Sequence, residues 1–581
     1  MGEGDASGPV KNGAPPMESY TIGLDFGTNS ARALLVEVQT GREIATSVHP
    51  YTRGTEGVFS DPSDGYLARQ DPRDYIDALG RLVPALLAEA RRHAGVNPGQ
   101  IIGIGVDTTA STPIPVDGNG IALTLDGRFS ENKNAYAWLW KDHTAYREAE
   151  EFADAVRDPG LPYLHAYGDI YSSEWFWAKI CRCARVDREV ATAAASWVEQ
   201  SDFIPALLTG NVHPTAIKRN ASAAGFKGMY NPSFGGFPPE EFFKAFGESL
   251  GRVRSTLPGH VYVPGEKIGT LRKEMKGAWG LTGEVAVASG MIDAHAGAVG
   301  SGIRPGRLVK MIGTSTCDLA LLSGDAGIDF IPGISGVVVD GVIPGYFGVE
   351  SGQAAVGDIL NWFVDTVVCA GGGDAKDRAH ARLTERAGRF RAGATGLVAL
   401  DWNNGNRNVL MDPRLTGLVV GQTLQTGPEE LYRALIEATG FGARVITERL
   451  REHGVAISEI VCCGGIAEKN RLFMQIYADI LNCPISITRT AQAAALGSAV
   501  CAAVAAGEDA GGYDDFALAG QSMTGIRETV YLPRADEAKI YDRLYGLYLR
   551  LHNVFGIRAQ SDNLHDVMKE LIEIREETRK S

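Results

Sequence analysis

The sequence predicts two related α/β domains, each a mixed sheet with helices, on either side of a cleft. Three observations predict this. The chain has 581 residues, about four times a typical domain, so a single small module is excluded. Its first structured stretch reads as three strands, a helix and a strand. A turn of the form G-T-x-[ST] stands at Gly27–Ser30 and again at Gly313–Thr316, roughly half the chain later, each time between apolar strands.

The elements follow in order. Tyr20–Asp25 reads as a buried strand, Phe26-Gly27-Thr28-Asn29 as a turn and Ala31–Val38 as a second strand. Gln39-Thr40-Gly41 is a second turn and Glu43–Val48 a third strand, which completes an antiparallel meander. Asp71-Pro72 opens an amphipathic helix, with Asp as N-cap, Pro at N1, and Tyr75, Leu79, Leu82, Val83 and Leu86 at helical spacing. Ile101–Val106 is a buried strand that ends at Asp107. In the second half, Leu308–Ile312 and Asp318–Leu322 are strands around the repeated turn. A long helix runs from Pro428 to His453, a strand over Ile460–Cys463, and helices over Asn470–Asn482 and Ala491–Ala506. The domain boundary is expected near residues 290–305, giving residues 20–302 and 303–560. Residues 1–19 read as a disordered leader, and residues 561–581 as a charged helical tail.

Composition narrows the class. A net charge of −14 argues against a nucleic-acid or anionic-membrane partner. Eight cysteines in this length form neither a disulfide framework nor zinc spacing, so they read as buried free thiols in a reducing, cytoplasmic setting. Residues 1–17 lack an apolar signal region, and the alanine-rich stretch Thr490–Gly507 suits a packed core helix better than a membrane span. Glycine is in excess, 71 of 581 residues, about 12% against about 7% on average, without a collagen period. It is expected to serve local backbone needs.

Four groups of residues carry possible chemistry. Asp25-Phe26-Gly27-Thr28-Asn29 puts a carboxylate at a strand end beside a glycine turn, where N–H groups could form an anion nest with Mg²⁺ bridging the two. The glycine would allow positive φ there, and the alternative is an ordinary hairpin. Gly464-Gly465 between strand and helix suits a nucleotide lying across the backbone, or is a plain tight turn. Asp293, in Met291-Ile-Asp-Ala-His295, could accept a proton from a sugar hydroxyl, or could cap a helix; His295 reads as structural. Trp138, Trp140, Trp175 and Trp177 could be sugar walls or core, and Lys227 and Glu350 are polar groups in apolar surroundings.

Taken together, D-F-G-T-N-S-A-R at Asp25–Arg32, the G-T-S-T hairpin at Gly313, the Asp293 segment and Gly464-Gly465-x4-Asn470-x3-Met474-Gln475-x3-Asp479 resemble the FGGY carbohydrate kinase family. Its ribulokinase branch is the nearest likeness, carried by Trp140-Lys-Asp142-His143, Tyr171-Ser-Ser-Glu-Trp-Phe-Trp-Ala-Lys179, Ala-Gly-Phe-Lys227 and Val-Glu350-Ser-Gly-Gln. The resemblance implies an actin/hexokinase-like (ribonuclease H-like) fold in two domains, ATP and Mg²⁺, and conversion of L-ribulose to L-ribulose 5-phosphate. It implies Asp293 as general base and Asp25 near the metal. Gly27, Thr28 and Asn29 would form one phosphate loop, Gly313, Thr314 and Ser315 the other. Gly464, Gly465 and Asn470 would face adenosine, and Ala110, Trp140, Lys227 and Glu350 the sugar. Asp479 departs from the family pattern, which often has Ala or Ser there. Family analogy also suggests a homodimer. Another sugar or polyol, such as D-ribulose, D-xylulose or ribitol, is the neighbouring alternative, and a non-catalytic actin-like nucleotide-binding protein the distant one.

Overall fold

The computed structural model describes residues 18–559 apart from 329, 370 and 372, together with 564–566, 568–569 and 572–573. The expected leader lies outside the described residues up to residue 17, as does most of the expected tail.

Two mixed seven-stranded sheets organise the chain. In the first, the path runs Lys267–Thr270, Ala286–Ala288, Ile101–Thr108, Tyr20–Phe26, Ser30–Glu37, Glu43–Pro50, with Met291–Ile292 also pairing on Ile101–Thr108. In the second it runs Gly336–Val339, Tyr346–Ser351, Thr316–Ser323, Gly306–Ile312, Ile457–Cys463, Ile485–Thr488, Ile526–Tyr531. The two share a plan. In each, the leading strand pairs antiparallel with the next across the G-T-x-[ST] turn and parallel with a later strand, Ile101–Thr108 or Ile457–Cys463. The strands Tyr20–Phe26 and Ile101–Thr108 are buried at every position, as continuous apolar runs in a covered sheet must be.

Local chemistry sets the helix ends. The helix Pro72–Ala94 starts where the Asp71 carboxylate accepts from Arg73 N–H, and stops at Gly95 in the left-handed region. The helix Arg471–Leu481 is capped by Asn470, whose side chain accepts from Phe473 N–H. The helix Ala535–Gly556 begins next to the point where buried Asp479 binds Arg534 through backbone N–H, Nε and Nη2 at 2.7, 3.0 and 2.6 Å. That is the work of the carboxylate at the departing position.

The alanine-rich helix Ala493–Ala506 belongs to the second half in sequence, yet it lies on the first sheet. A Cβ placed on Gly23, Gly103 or Gly105 would meet the carbonyl oxygens of Ala495, Ala502 and Ser498 at 1.8, 2.5 and 1.9 Å. The same helix crosses the helix Asp293–Gly300, where Gly497 faces Ala296 O and Gly300 faces Ala493 O. Residues of both halves thus share one buried cluster, including Leu34, Val36, Ala296, Val309, Leu319, Ala495 and Ala499. Among the described residues no helix is long and apolar enough to cross a membrane. All eight cysteines are unpaired, and six of them are buried.

Candidate active site

Three carboxylates meet because three parallel strands end together. Asp25 faces Asp107 across the register of Tyr20–Phe26 and Ile101–Thr108, and Met291 and Ile292 pair with Asp107 and Thr108. The next residue, Asp293, therefore emerges at the same end, at the start of the helix Asp293–Gly300, and its Oδ1 accepts from Ala294 N–H at 2.6 Å. Burial, then the nearby Asp25 charge, push the Asp293 carboxyl up to about 7, against the Ala294 N–H and Lys227. Burial also raises Asp25, opposed by Arg32, whose Nη1 lies 3.4 Å from Asp25 Oδ2. Asp107 is raised well above the usual carboxylate range by burial and by Asp25. Its Oδ2 accepts from Ser498 Oγ at 2.6 Å, while Oδ1 has no hydrogen-bond partner among the described residues.

A cavity of about 260 Å³ opens over Asp293. Ala110, Trp140, Lys227, Glu350 and Ser315 line it, so all the sugar-side candidates and one residue of the second hairpin converge there. Lys227 Nζ donates to Glu350 Oε1 at 2.9 Å and stands 5.6 Å from the Trp175 ring. Ala110 and Trp140 come from separate loops that one buried side chain ties together. Lys179 Nζ donates to Ser111 O at 2.7 Å and to Leu139 O at 2.8 Å. Of the four tryptophans, Trp138 and Trp177 are wholly enclosed core residues, whereas Trp140 and Trp175 line the cavity.

The two glycine hairpins sit beside this cavity: Ser315 of the second lines it, and Trp140, which also lines it, bonds Thr28 of the first. Gly27 N–H bonds Ser30 O at 3.0 Å in the first, and Gly313 N–H bonds Ser315 O at 2.9 Å in the second. The expected positive φ is corrected here: neither Gly27 nor Gly313 adopts it, because these hairpins close within ordinary backbone geometry. Space matters instead at Gly27, where a Cβ would press on Ser30 O at 3.3 Å. The side-chain donors are also partly committed. Asn29 Nδ2 donates to Glu56 O at 2.8 Å, and Thr28 Oγ1 accepts from Trp140 Nε1 at 3.0 Å, which leaves the Thr28 hydroxyl hydrogen available. Thr314 O accepts from Val356 and Asp358 N–H, so the second hairpin is braced by the start of the helix Gly357–Trp362.

At the third glycine turn, Gly464 does take positive φ, 97°, and a Cβ there would lie 2.4 Å from Ile312 O. Only glycine lets this turn pass against the strand that carries the second hairpin. Gly465 starts the short helix Gly465–Lys469, with open space where its Cβ would be. Asn470 spends its oxygen on the cap and its Nδ2 on Thr384 Oγ1 at 3.4 Å.

Residues 20–300 match the FGGY family of carbohydrate kinases, N-terminal domain, and residues 308–506 the C-terminal domain of the same family. The chain belongs to the FGGY family of carbohydrate kinases. It is 41% identical over 572 residues to a protein named Ribulokinase from Anoxybacillus flavithermus, covering 97% of this chain and 98% of the relative. It is 38% identical to one of the same name from Mycolicibacterium smegmatis, covering 93% and 95%. Among solved structures, a xylulose kinase from Rhodospirillum rubrum superposes with a TM-score of 0.75 at 24% identity, covering 92% of this chain and 99% of that one. A Plasmodium falciparum glycerol kinase with ADP gives 0.72 at 15%, covering 92% and 98%. These two similarities support the two-domain sugar kinase fold alone.

For this carbohydrate kinase the sequence motifs missed several groups in the cleft. Asp107 ends an apolar strand just as Asp25 does, and that parallel was the available signal. Glu174, within the Tyr171–Lys179 run but not singled out there, and Arg407, which belongs to no motif, also line the cavity. His295, read as structural, touches Glu350 directly.

Proposed function

We propose that this kinase transfers the γ-phosphoryl group of ATP to O5 of L-ribulose, giving L-ribulose 5-phosphate and ADP. The observation that carries the reading is the convergence of Asp293, the Lys227–Glu350 pair, Trp140 and Ala110 in one cavity that Ser315 of the second hairpin also lines. The near full-length similarity to proteins named Ribulokinase supports the choice of sugar.

The chemistry follows from the groups present. Asp293 takes the O5 proton as the O5–P bond forms and the bond from Pγ to the bridging oxygen breaks, with that electron pair leaving on ADP. A carboxyl near 7 is basic enough to accept the proton and still mostly ionised in mildly alkaline solution. The two hairpins hold the phosphates in line, and the Trp140–Thr28 bond ties the sugar wall to the first hairpin. Closure of the walls over the sugar keeps water from taking the phosphoryl group.

The donor set fits Mg²⁺. Asp107 Oδ1 has no hydrogen-bond partner among the described residues, and burial with the nearby Asp25 charge opposes ionisation of Asp107 until a cation offsets it. Mg²⁺ usually keeps several waters and takes one or two carboxylates plus substrate phosphate oxygens, so two carboxylates suffice. Asp25 would hold it, with Asp107 behind, and the ion would neutralise charge on the β- and γ-phosphates.

The test is ADP release against a panel of ketopentoses and polyols, with EDTA and Mg²⁺ arms. L-Ribulose should give the highest kcat/KM. A higher value for D-ribulose, D-xylulose or ribitol would replace the sugar, and sugar-independent ADP formation would overturn the kinase mechanism.

A further inference from the structure

Behind the sugar wall runs a chain of buried polar groups that the transfer itself does not use. Ile292 N–H donates to Ser222 Oγ at 3.2 Å. Ser222 Oγ lies 2.7 Å from His295 Nδ1. His295 Nε2 lies 2.9 Å from Glu350 Oε2, and Glu350 Oε1 accepts from Lys227 Nζ at 2.9 Å. Ser222 and His295 are fully buried, and the Phe226 ring packs on the imidazole with centroids 4.3 Å apart.

The chain has one direction that satisfies every member. A neutral His295 ring facing the acceptor-only Glu350 carboxylate carries its hydrogen on Nε2, so the Ser222 hydroxyl hydrogen goes to Nδ1 while Oγ accepts from Ile292 N–H. Nδ1 is then an acceptor, the imidazole proton sits on Nε2, and Nε2 donates to a carboxylate that can only accept. Burial lowers the His295 pKa and so favours the neutral ring, against the pull of Glu350. Burial opposes ionisation of Glu350, but the Lys227 ammonium and the His295 hydrogen bond outweigh it and hold its carboxyl well below the usual range.

We propose that His295 and Ser222 are positioning residues for ketopentose recognition: Ser222 pins the His295 ring at Nδ1, and the Nε2–H of that ring locks Glu350, and through it Lys227, in the orientation that reads the sugar. This rests on the sugar-kinase reading above. A carboxylate pinned at one oxygen can still turn about its last bond; the second pin stops it. Lys227 spends one N–H on Glu350 and keeps two for a ligand. The pair also spans the molecule. Lys227 ends the helix Ala221–Lys227 of the first half, and Glu350 lies in Tyr346–Ser351 of the second sheet. The chain begins at Ile292, the residue before the base, so the groups that read the sugar and the group that deprotonates it share one frame.

Full-length protein carrying Ser222→Ala, His295→Gln or His295→Leu is compared with wild type, varying L-ribulose and then MgATP. His295→Leu should raise KM for the sugar about 10- to 100-fold, the usual loss for a hydrogen bond to a charged group, with a much smaller change in kcat and none in KM for ATP. His295→Gln, whose amide can still donate to Glu350, should recover part of that loss. Ser222→Ala should raise the sugar KM about threefold to tenfold. In ¹⁵N-histidine-labelled protein, the wild-type signal missing from His295→Gln should be the Nε2–H tautomer at neutral pH, and Ser222→Ala should shift its Nδ1 resonance as the hydrogen bond at that atom is lost. An imidazolium or Nδ1–H form in wild type overturns the proposal. So does a folded His295→Gln or His295→Leu with unchanged sugar KM, or variants that lose kcat and both affinities together. If His295→Leu does not fold, His295→Gln and the wild-type tautomer decide. A wild type inactive on L-ribulose but active on another ketopentose overturns only the choice of sugar, and the variants are then read with that ketopentose.

Discussion

In the proposed mechanism Asp293 links catalysis and stability through one proton. Its carboxyl is raised from 3.8 to about 7, by burial first and then by Asp25. A general base works only when ionised, so kcat/KM for the sugar, measured with MgATP well below its KM, should rise with pH through about 7. The ionised fraction changes from about 0.1 at pH 6 to about 0.9 at pH 8, so the rate should change about tenfold across that range. The same shift has a stability sign. A raised carboxyl pKa means the folded state holds the proton more tightly, so stability is lost as pH rises from about 4 through about 7. About three units at 1.36 kcal/mol each give a cost of roughly 4 kcal/mol above pH 7. Asp293→Asn removes the ionisation. It should retain sugar binding, lose at least about 1,000-fold in kcat, and melt higher than wild type at pH 8 but not at pH 4. The assays are a coupled ADP assay and thermal melts at both pH values. A mutant with near-wild-type turnover, or a wild-type profile flat from pH 6 to pH 8 with no stability difference, refutes the assignment.

Other positions give further tests. Trp140→Ala should raise KM for the sugar about tenfold, while Trp140→Phe keeps the wall and loses only the N–H to Thr28 Oγ1, so its larger effect should fall on kcat. Asp479→Ala should cost about 1–3 kcal/mol in a denaturant melt, since it strips Arg534 of three contacts, and leave KM for ATP unchanged; a raised ATP KM would return Asp479 to the nucleotide site. Chelation with EDTA should abolish turnover, and added Mg²⁺ should restore it without a change in the melting temperature of the ligand-free protein, since two carboxylates alone bind the ion weakly.

The parts of the site legible in sequence are those held by short contiguous patterns. Asp25 and the turn after it, Gly313–Ser315, and Asp293 at a strand-to-helix junction all sit on local motifs, and the sheet plan followed from strand-turn-strand repetition. What escaped depends on pairing between distant segments. Asp107 becomes a site residue only because parallel register sets it opposite Asp25. Lys179 matters because it joins carbonyls at positions 111 and 139, which no spacing reveals. His295 lies two residues from the base, but its meaning comes from Glu350, 55 residues on. The positive φ expected at Gly27 failed because a hairpin can also need glycine for room.

The glycine excess shows how far the site depends on positions without side chains. The helix bearing Asp293 is held by its crossing with Ala493–Ala506, where Gly497 and Gly300 let the two backbones touch. That second helix lies in a groove that Gly23, Gly103 and Gly105 leave in the first sheet, and from it Ser498 reaches Asp107. The strands of those glycines are the ones that end in Asp25 and Asp107. Any change that disturbs this packing should therefore shift Asp293 relative to Asp25 and Asp107. Gly497→Ala puts a Cβ 1.8 Å from Ala296 O. It should cost about 3 kcal/mol or more and lower kcat, although Gly497 does not line the cavity over Asp293. A variant with unchanged stability and turnover would mean that the crossing does not hold Asp293 in place.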